Sequence, residues 1–346
     1  MSKRVALIGA FAVFATVSAA ALATTPGTNG QIAFRRWLND ETTRSALYTM
    51  NPDGTNVRRI VRPARHGAHD DQPDWSPDGR RLVFTRCPAD GLCFVMVVNA
   101  DGTGLRRVTP RCTRKFVFPR LPRGCADAAN TSFTPDGQHI LYTRASGRIR
   151  IFPKFETDQI EHSAVAIIGV DGRGQREILR LPRFKGDAEF PQMSPDGRYI
   201  MFERGNGPLG RPRFGRAIFV MNADGSRLHR VTPWRLRGGD NPDWAPDSSR
   251  ILFRSNEDAD AERAQFYTVR PDGTALTRLT NFPFEHRRLF SASFSPDGSQ
   301  IVYGRANDKR ERGDLWLMNA DGTNHRPLYA VAAADSAPDW GALPVP

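Results

Sequence analysis

Asp74-Trp75-Ser76-Pro77-Asp78-Gly79, with Asn99-Ala100-Asp101-Gly102 after it, is a doublet of tight-turn sequences that the chain repeats about every fifty residues. The first member returns as Phe133-Thr134-Pro135-Asp136-Gly137, Met193-Ser194-Pro195-Asp196-Gly197, Trp244-Ala245-Pro246-Asp247-Ser248 and Phe294-Ser295-Pro296-Asp297-Gly298, and a degenerate copy, Asp339-Trp340-Gly341, closes the series. The second member ends in turn at Gly54, Gly102, Gly172, Gly225, Gly273 and Gly322. Self-similarity at this period marks a repeat architecture whose units cannot bury their apolar faces alone.

In the first turn, proline presets one φ, aspartate tolerates the next position and glycine takes the left-handed conformation that reverses the chain. The Asx-Gly turn does the same for a second hairpin. Ser248 stands where the other copies have glycine and costs about 1 kcal/mol if its φ is positive. Between the turns lie short β-rich runs: Arg81 to Arg86, Phe94 to Val98, His139 to Arg144, Tyr199 to Arg204, Ala217 to Met221, Ile251 to Arg254 and Ile301 to Arg305. Their length and their aromatic and branched content fit sheet rather than helix.

Each unit therefore reads as four strands: an inner one ending at the Trp or Phe, a second after Pro-Asp-Gly, a third before Asx-Gly, and an outer one such as Gly104 to Thr109. The expected fold is all-β, a six-bladed propeller with four antiparallel strands per blade. Because the chain opens on a second strand (Gln31 to Arg36) and closes on an inner one (Ala337 to Trp340), the first blade is completed by both termini, which leaves no open edge. Trp75, Phe133, Met193, Trp244, Phe294 and Trp340 share one slot and are read as packing between blades.

The run Asp-x-x-Pro-x-Trp-Ser-Pro-Asp-Gly, an apolar strand, then Asn-Ala-Asp-Gly and Arg-Arg-Val-Thr, as at residues 70 to 109, resembles the TolB-like propeller family with its WD40-like repeat. The resemblance covers residues 31 to 341. It implies a propeller of the kind whose namesake is a periplasmic protein binding a peptidoglycan-associated lipoprotein. That namesake carries an α/β domain before its propeller, where this chain has a short apolar segment. Similar propellers also cap serine peptidases.

That segment has the layout of a secretory signal: Ser2-Lys3-Arg4, an apolar stretch from Val5 to Val17, and the small-residue pattern Ala21-Leu22-Ala23. The expected organisation is a signal peptide over residues 1–23 cut after Ala23, a linker over 24–30, the propeller over 31–341 and a tail over 342–346. An uncleaved anchor is the alternative, weakened by Gly9, Thr16, Ser18 and the alanines. The expected location is periplasmic or extracellular, with no stable membrane span after cleavage. An oxidising compartment favours disulfides, and the two local pairings are Cys87 with Cys93 and Cys112 with Cys125, out of three possible schemes.

The formal charge is +12, or +10 once Lys3 and Arg4 are removed, and 44 of the 49 basic residues are arginine. A GC-rich genome explains that skew as well as anion binding does. Strand alternation places every Pro-Asp-Gly and Asx-Gly turn on one face, uniformly tight, and every connection of variable length on the other: 87 to 93, 110 to 129, 145 to 162, 205 to 216, 256 to 264 and 306 to 313. Variable loops on a rigid scaffold are where binding concentrates, and both cysteine pairs fall there. Arg111, Arg114, Lys115, Arg120 and Arg123, then Arg211, Arg213 and Arg216, then Arg287 and Arg288 are the basic binding candidates. Asp71, Glu189 and Asp240, four residues before the slot, with Asp70 and Asp335 one step earlier, are expected to ring the channel mouth as an acidic throat inside a basic rim. The throat suits a basic peptide segment or a cation such as calcium; alternatively its carboxylates satisfy only backbone N–H groups and neighbouring arginines.

There is no G-x-S-x-G elbow, H-E-x-x-H helix or phosphate-binding Gly-Lys-Ser/Thr loop, so no catalytic residues are assigned. His66, His69 and Asp70 do not make a convincing metal set, and the run from Asn256 to Glu262 lacks the glycine of a calcium loop. The Asn130-Thr131-Ser132 sequon falls in an inner strand, and export argues against nucleic acid. The sequence thus points to an exported, monomeric, non-catalytic propeller without a cofactor, binding a protein or an anionic cell-envelope polymer through its Arg-rich loops. The alternative is a hydrolase or lyase on an anionic polysaccharide, with channel-mouth carboxylates as acid and base.

Overall fold

The computed structural model describes residues 26–39, 43–62, 68–89, 91–114, 117, 120–152, 157–205, 215–256, 264–282, 289–306, 313–329 and 334–344. The expected signal peptide, Lys115, Arg211, Arg213, Arg287, Arg288, His66 and residues 257–262 lie outside them, as does the side chain of Asp240.

Six four-stranded antiparallel sheets follow one another around an axis. Blade 1 joins Ala334–Ala342 to Asn29–Trp37, Ser45–Met50 and Arg58–Arg59; blade 2 is His69–Trp75, Arg81–Cys87, Phe94–Asn99 and Arg106–Arg107. Blade 3 is Asp127–Phe133, His139–Phe152, Thr157–Gly169 and Arg176–Arg180, and blade 4 is Ala188–Met193, Tyr199–Gly205, Arg216–Asn222 and His229–Arg230. Blade 5 is Gly238–Trp244, Ile251–Asn256, Ala264–Val269 and Thr277–Arg278, and blade 6 is Leu289–Phe294, Gln300–Ala306, Gly313–Asn319 and Arg326–Tyr329. The two ends of the chain share blade 1, with Ile32 opposite Trp340 and Arg36 opposite Asp335.

Six apolar clusters fill the seams between neighbouring blades, and the repeated slot supplies each one. Trp75 packs on Ala33 and Leu47 of blade 1, Phe133 on Val83 and Val97 of blade 2, and Trp340 on Val302 and Leu315 of blade 6. Trp244, Phe294 and Trp340 are fully buried, so each seam carries a large hydrophobic contribution.

The seams also explain the second turn. The glycine of each Asx-Gly turn lies against an outer-strand carbonyl of the preceding blade: Gly102 against Ile60, Gly172 against Val108, Gly225 against Ile178, Gly273 against Val231, Gly322 against Leu279 and Gly54 against Leu328. Gly322 and Gly273 both have φ of +83°, but a Cβ at Gly322 would collide with the Leu279 carbonyl whereas one at Gly273 would lie 3.3 Å from the Val231 carbonyl. Gly273→Ala is expected to cost about 1 kcal/mol through φ alone, and Gly322→Ala about 2–4 kcal/mol, because the blade must also move. Urea midpoints of the two variants test this ordering, and equal costs would remove the packing argument.

Ser248 has φ of +61°, so it carries the expected strain. Its hydroxyl accepts a hydrogen bond from the Asp196 N–H of blade 4 at 3.0 Å, a contact glycine could not make.

Two features depart from the expected strands. In blade 3 the second and third strands run on as a hairpin to Phe152 and Thr157, with Ile149 opposite Ile160, where a loop from 145 to 162 was expected. The alternation of branched residues and arginines in that stretch suits an extended strand. Every inner strand is also irregular two or three residues before its slot, and Gln72, Asn130, Phe190, Asn241 and Ala337 there have positive φ. In four of these five blades the next residue is proline, which cannot donate to the ladder and is at home in a bulge.

Candidate functional site

The bulge decides which acids meet the axis. The residue just before each slot turns inward, and five of those six side chains bind the backbone N–H of the next slot round the ring. Asp339 accepts from Trp75 at 2.7 Å, Asp74 from Phe133 at 2.7 Å, Gln192 from Trp244 at 3.1 Å, Asp243 from Phe294 at 2.7 Å and Ser293 from Trp340 at 3.2 Å. Ser132 completes the circle by donating to the Pro191 carbonyl at 2.7 Å. Around them lies an axial cavity of about 20 Å³, room for little more than a water.

Asp74, Asp243 and Asp339 bring three carboxylates to that cavity. Burial, reinforced by the charge of Asp243, pushes the Asp339 carboxyl up to about 7. Burial and the charge of Asp339 raise Asp74 well above the ordinary range. Sequence reasoning passed over all three; the signal that could have found them is Pro-Asp-Trp, at Pro73-Asp74-Trp75, Pro242-Asp243-Trp244 and Pro338-Asp339-Trp340.

The expected throat acids do not line that cavity, and each described one is held by arginine. Asp70 is buried and accepts from Arg86 Nε at 2.5 Å, directly across its strand pair. Asp335 is paired in the same way with Arg36 at 2.7 Å, while Asp71 meets Arg35 of blade 1 at 2.5 Å across the seam. Burial raises the carboxyls of Asp70 and Asp335, and their arginine partners oppose the rise. Arg216, expected on the basic rim, is half-buried and bridges Glu189 to the fully buried Glu203. Burial lifts Glu203 to about 7 even so, with Arg216 opposing the rise.

The loop face carries both disulfides, Cys87–Cys93 and Cys112–Cys125. Arg111, Arg114, Arg120 and Arg123 sit in the connection between blades 2 and 3 and form no ion pair among the described residues. Many other arginines are used by the scaffold: Arg107 stacks on Phe94 at 4.1 Å, Arg36 on Tyr48 at 4.6 Å and Arg305 on Trp316 at 4.7 Å. Among the described residues no set of three His, Cys, Asp or Glu side chains has the arrangement of a metal centre, and no helix is long and apolar enough to cross a membrane.

Six sheets sewn shut by the chain ends, with Pro-Asp-Gly turns on one face and long loops on the other, define a closed propeller around a plugged axis. The TolB beta propeller domain family matches residues 161–344, more than half of the chain, and the chain belongs to that family. A stretch of 100 residues is 33% identical to the Tol-Pal system protein TolB of Anaeromyxobacter sp. (strain K), covering 29% of this chain and 21% of that protein. The chain thus matches about a fifth of the length of that curated relative. In structure it resembles TolB from Acinetobacter baumannii (TM-score 0.64, 17% identity, 90% of this chain and 67% of the other). It also resembles oligogalacturonate lyase from Vibrio parahaemolyticus (TM-score 0.54, 13% identity, 90% of this chain and 81% of the other). At such identities the two structures share the fold alone.

Proposed function

We propose that this chain is an exported, non-catalytic scaffold that binds a protein or an anionic envelope component through its loop face. The observation that carries the reading is the asymmetry of the two faces. One carries only the short Pro-Asp-Gly and Asx-Gly turns; the other gathers the long connections, both disulfides and, between blades 2 and 3, Arg111, Arg114, Arg120 and Arg123, which form no ion pair among the described residues. Crosslinking a long loop reduces the order it must gain on binding, and guanidinium groups without partners favour carboxylate or phosphate. The likeness to a Tol-Pal system protein supports a place in an envelope assembly.

A polysaccharide hydrolase or lyase would need a free acid and base at the throat. Asp70, Asp71, Asp335 and Glu189 are each engaged by an arginine, which disfavours that use. Charge reversal of Arg111, Arg114, Arg120 and Arg123 together is expected to weaken capture of immobilised polygalacturonate by about tenfold or more at low salt, and capture by the wild type should fall as salt rises. Unchanged capture would remove the loop from the proposal. Turnover of the polymer, lost on replacing Asp71, Glu189 and Asp240 by their amides, would replace the scaffold with an enzyme.

A further inference from the structure

Blade 3 carries a roofed cavity. The connection from blade 2, crosslinked by Cys112–Cys125, folds back over the long blade 3 hairpin. The Leu121 N–H donates to the Gly147 carbonyl at 2.9 Å, and the backbones of Arg120 and Arg148 pair in an isolated antiparallel β-bridge. Gly147 has φ of +93° and lies against the Glu161 side chain, whose Oε2 accepts from the Arg148 N–H at 2.8 Å, so the hairpin bends beneath the loop. The space enclosed is about 720 Å³, within the range that organic ligands occupy, and it opens to solvent.

Its walls are strongly basic. Arg120, Arg123, Arg144 and Arg180 line it, and Glu161 is its one lining carboxylate, already paired with Arg183 outside. Behind the wall a single acid, Glu177, serves both Arg144 (2.8 Å) and Arg180 (2.6 Å). The balance of charge is thus positive, and Arg120 and Arg123 have no ion-pair partner among the described residues.

Arg144 lies where the large cavity meets a smaller one of about 60 Å³ beneath the disulfide, the two sharing Gly124 and Cys125. Its guanidinium adds to the positive field that a negatively charged ligand would meet there.

We propose that this cavity is a binding site for a sugar-sized anion bearing a carboxylate or a phosphate, with Arg120 and Arg123 as its mouth and Arg144 as its floor. The proposal rests on the loop face being an anion-binding surface and names where on that face a single acidic unit is held. Calorimetry at low ionic strength with glucuronic acid, inorganic phosphate and glucose tests it on the full chain. Glucuronate, phosphate or both should bind and glucose should not; which anion binds identifies the group recognised. Arg120→Ser/Arg123→Ser should weaken binding at least tenfold, while Arg59→Ser on the outer strand of blade 1 should leave it unchanged. Both pocket arginines are exposed, so the double variant should keep the wild-type thermal midpoint. Binding of glucose as strong as that of the anions, binding that survives the double variant, or equal weakening by Arg59→Ser would overturn the site. If neither anion binds but the wild type still captures polygalacturonate in a salt-dependent way, the cavity is wrong and the loop-face reading stands. If capture is absent as well, both fall.

Discussion

Asp339→Asn is expected to stabilise the protein at pH 8 by about 1–4 kcal/mol and to flatten its pH dependence between pH 5 and 8. The wild-type carboxyl titrates near 7 in the folded chain against an ordinary value of 3.8, because burial and the Asp243 charge disfavour its ionised form. Between those values the native state holds a proton that the unfolded chain has released, so stability falls as pH rises through that window. Each unit of displacement corresponds to about 1.4 kcal/mol, which sets the upper end of the estimate; access of water to the axis lowers it. An amide oxygen can still accept from the Trp75 N–H, so the ring of seam hydrogen bonds survives. Asp74 should ionise more easily as well, since the charge of Asp339 is one cause of its displacement. Urea unfolding of both proteins at pH 5 and pH 8 is decisive: a variant less stable than the wild type at pH 8 would mean that the axial carboxylates do not repel one another.

Arg216→Met should be the most damaging single change, about 3–5 kcal/mol at pH 8, because it removes the ion-pair partner of the fully buried Glu203 and leaves only the charge of Arg254 to oppose its burial. Glu203 already titrates near 7 with Arg216 present, and without it the carboxyl would rise further above its ordinary 4.5. The pH-dependent part of the loss therefore sets in above about pH 7, where the wild-type carboxyl ionises and the variant's does not, and vanishes toward pH 5, where both native states hold the proton. Adding Glu203→Gln to the variant should recover most of the loss, since a neutral amide needs no counter-ion. A single variant within about 1 kcal/mol of the wild type at pH 8, or a double variant no better than the single, would contradict the role given to this ion pair.

Legibility followed the range of the forces involved. Turn chemistry is local, so Ser-Pro-Asp-Gly and Asn-Ala-Asp-Gly announced each hairpin, and a Trp-or-Phe slot announced each seam. The acids of the throat were expected at the channel mouth because they stand near the start of the inner strands, and sequence position alone does not show which way a bulged strand turns its side chains. Gln72 and its equivalents reset the alternation, so Asp74 and Asp339 face the axis while Asp71 turns to Arg35. Arg216 was mistaken for a free rim charge because nothing in its neighbourhood shows that Glu203, a strand away, is buried beneath it.

By itself the sequence determined the number of blades, their strand order, closure by the two termini and the division into a tight face and a loop face, since each is written in turns of a few residues repeated at one period. Only the tertiary structure decided which carboxylates share the axis, which arginines are consumed by partners, and where the second-turn glycines must admit a neighbouring carbonyl. Those are contacts between strands and between blades, made by residues that are not neighbours in the chain, and their energies depend on burial and distance that no local pattern encodes.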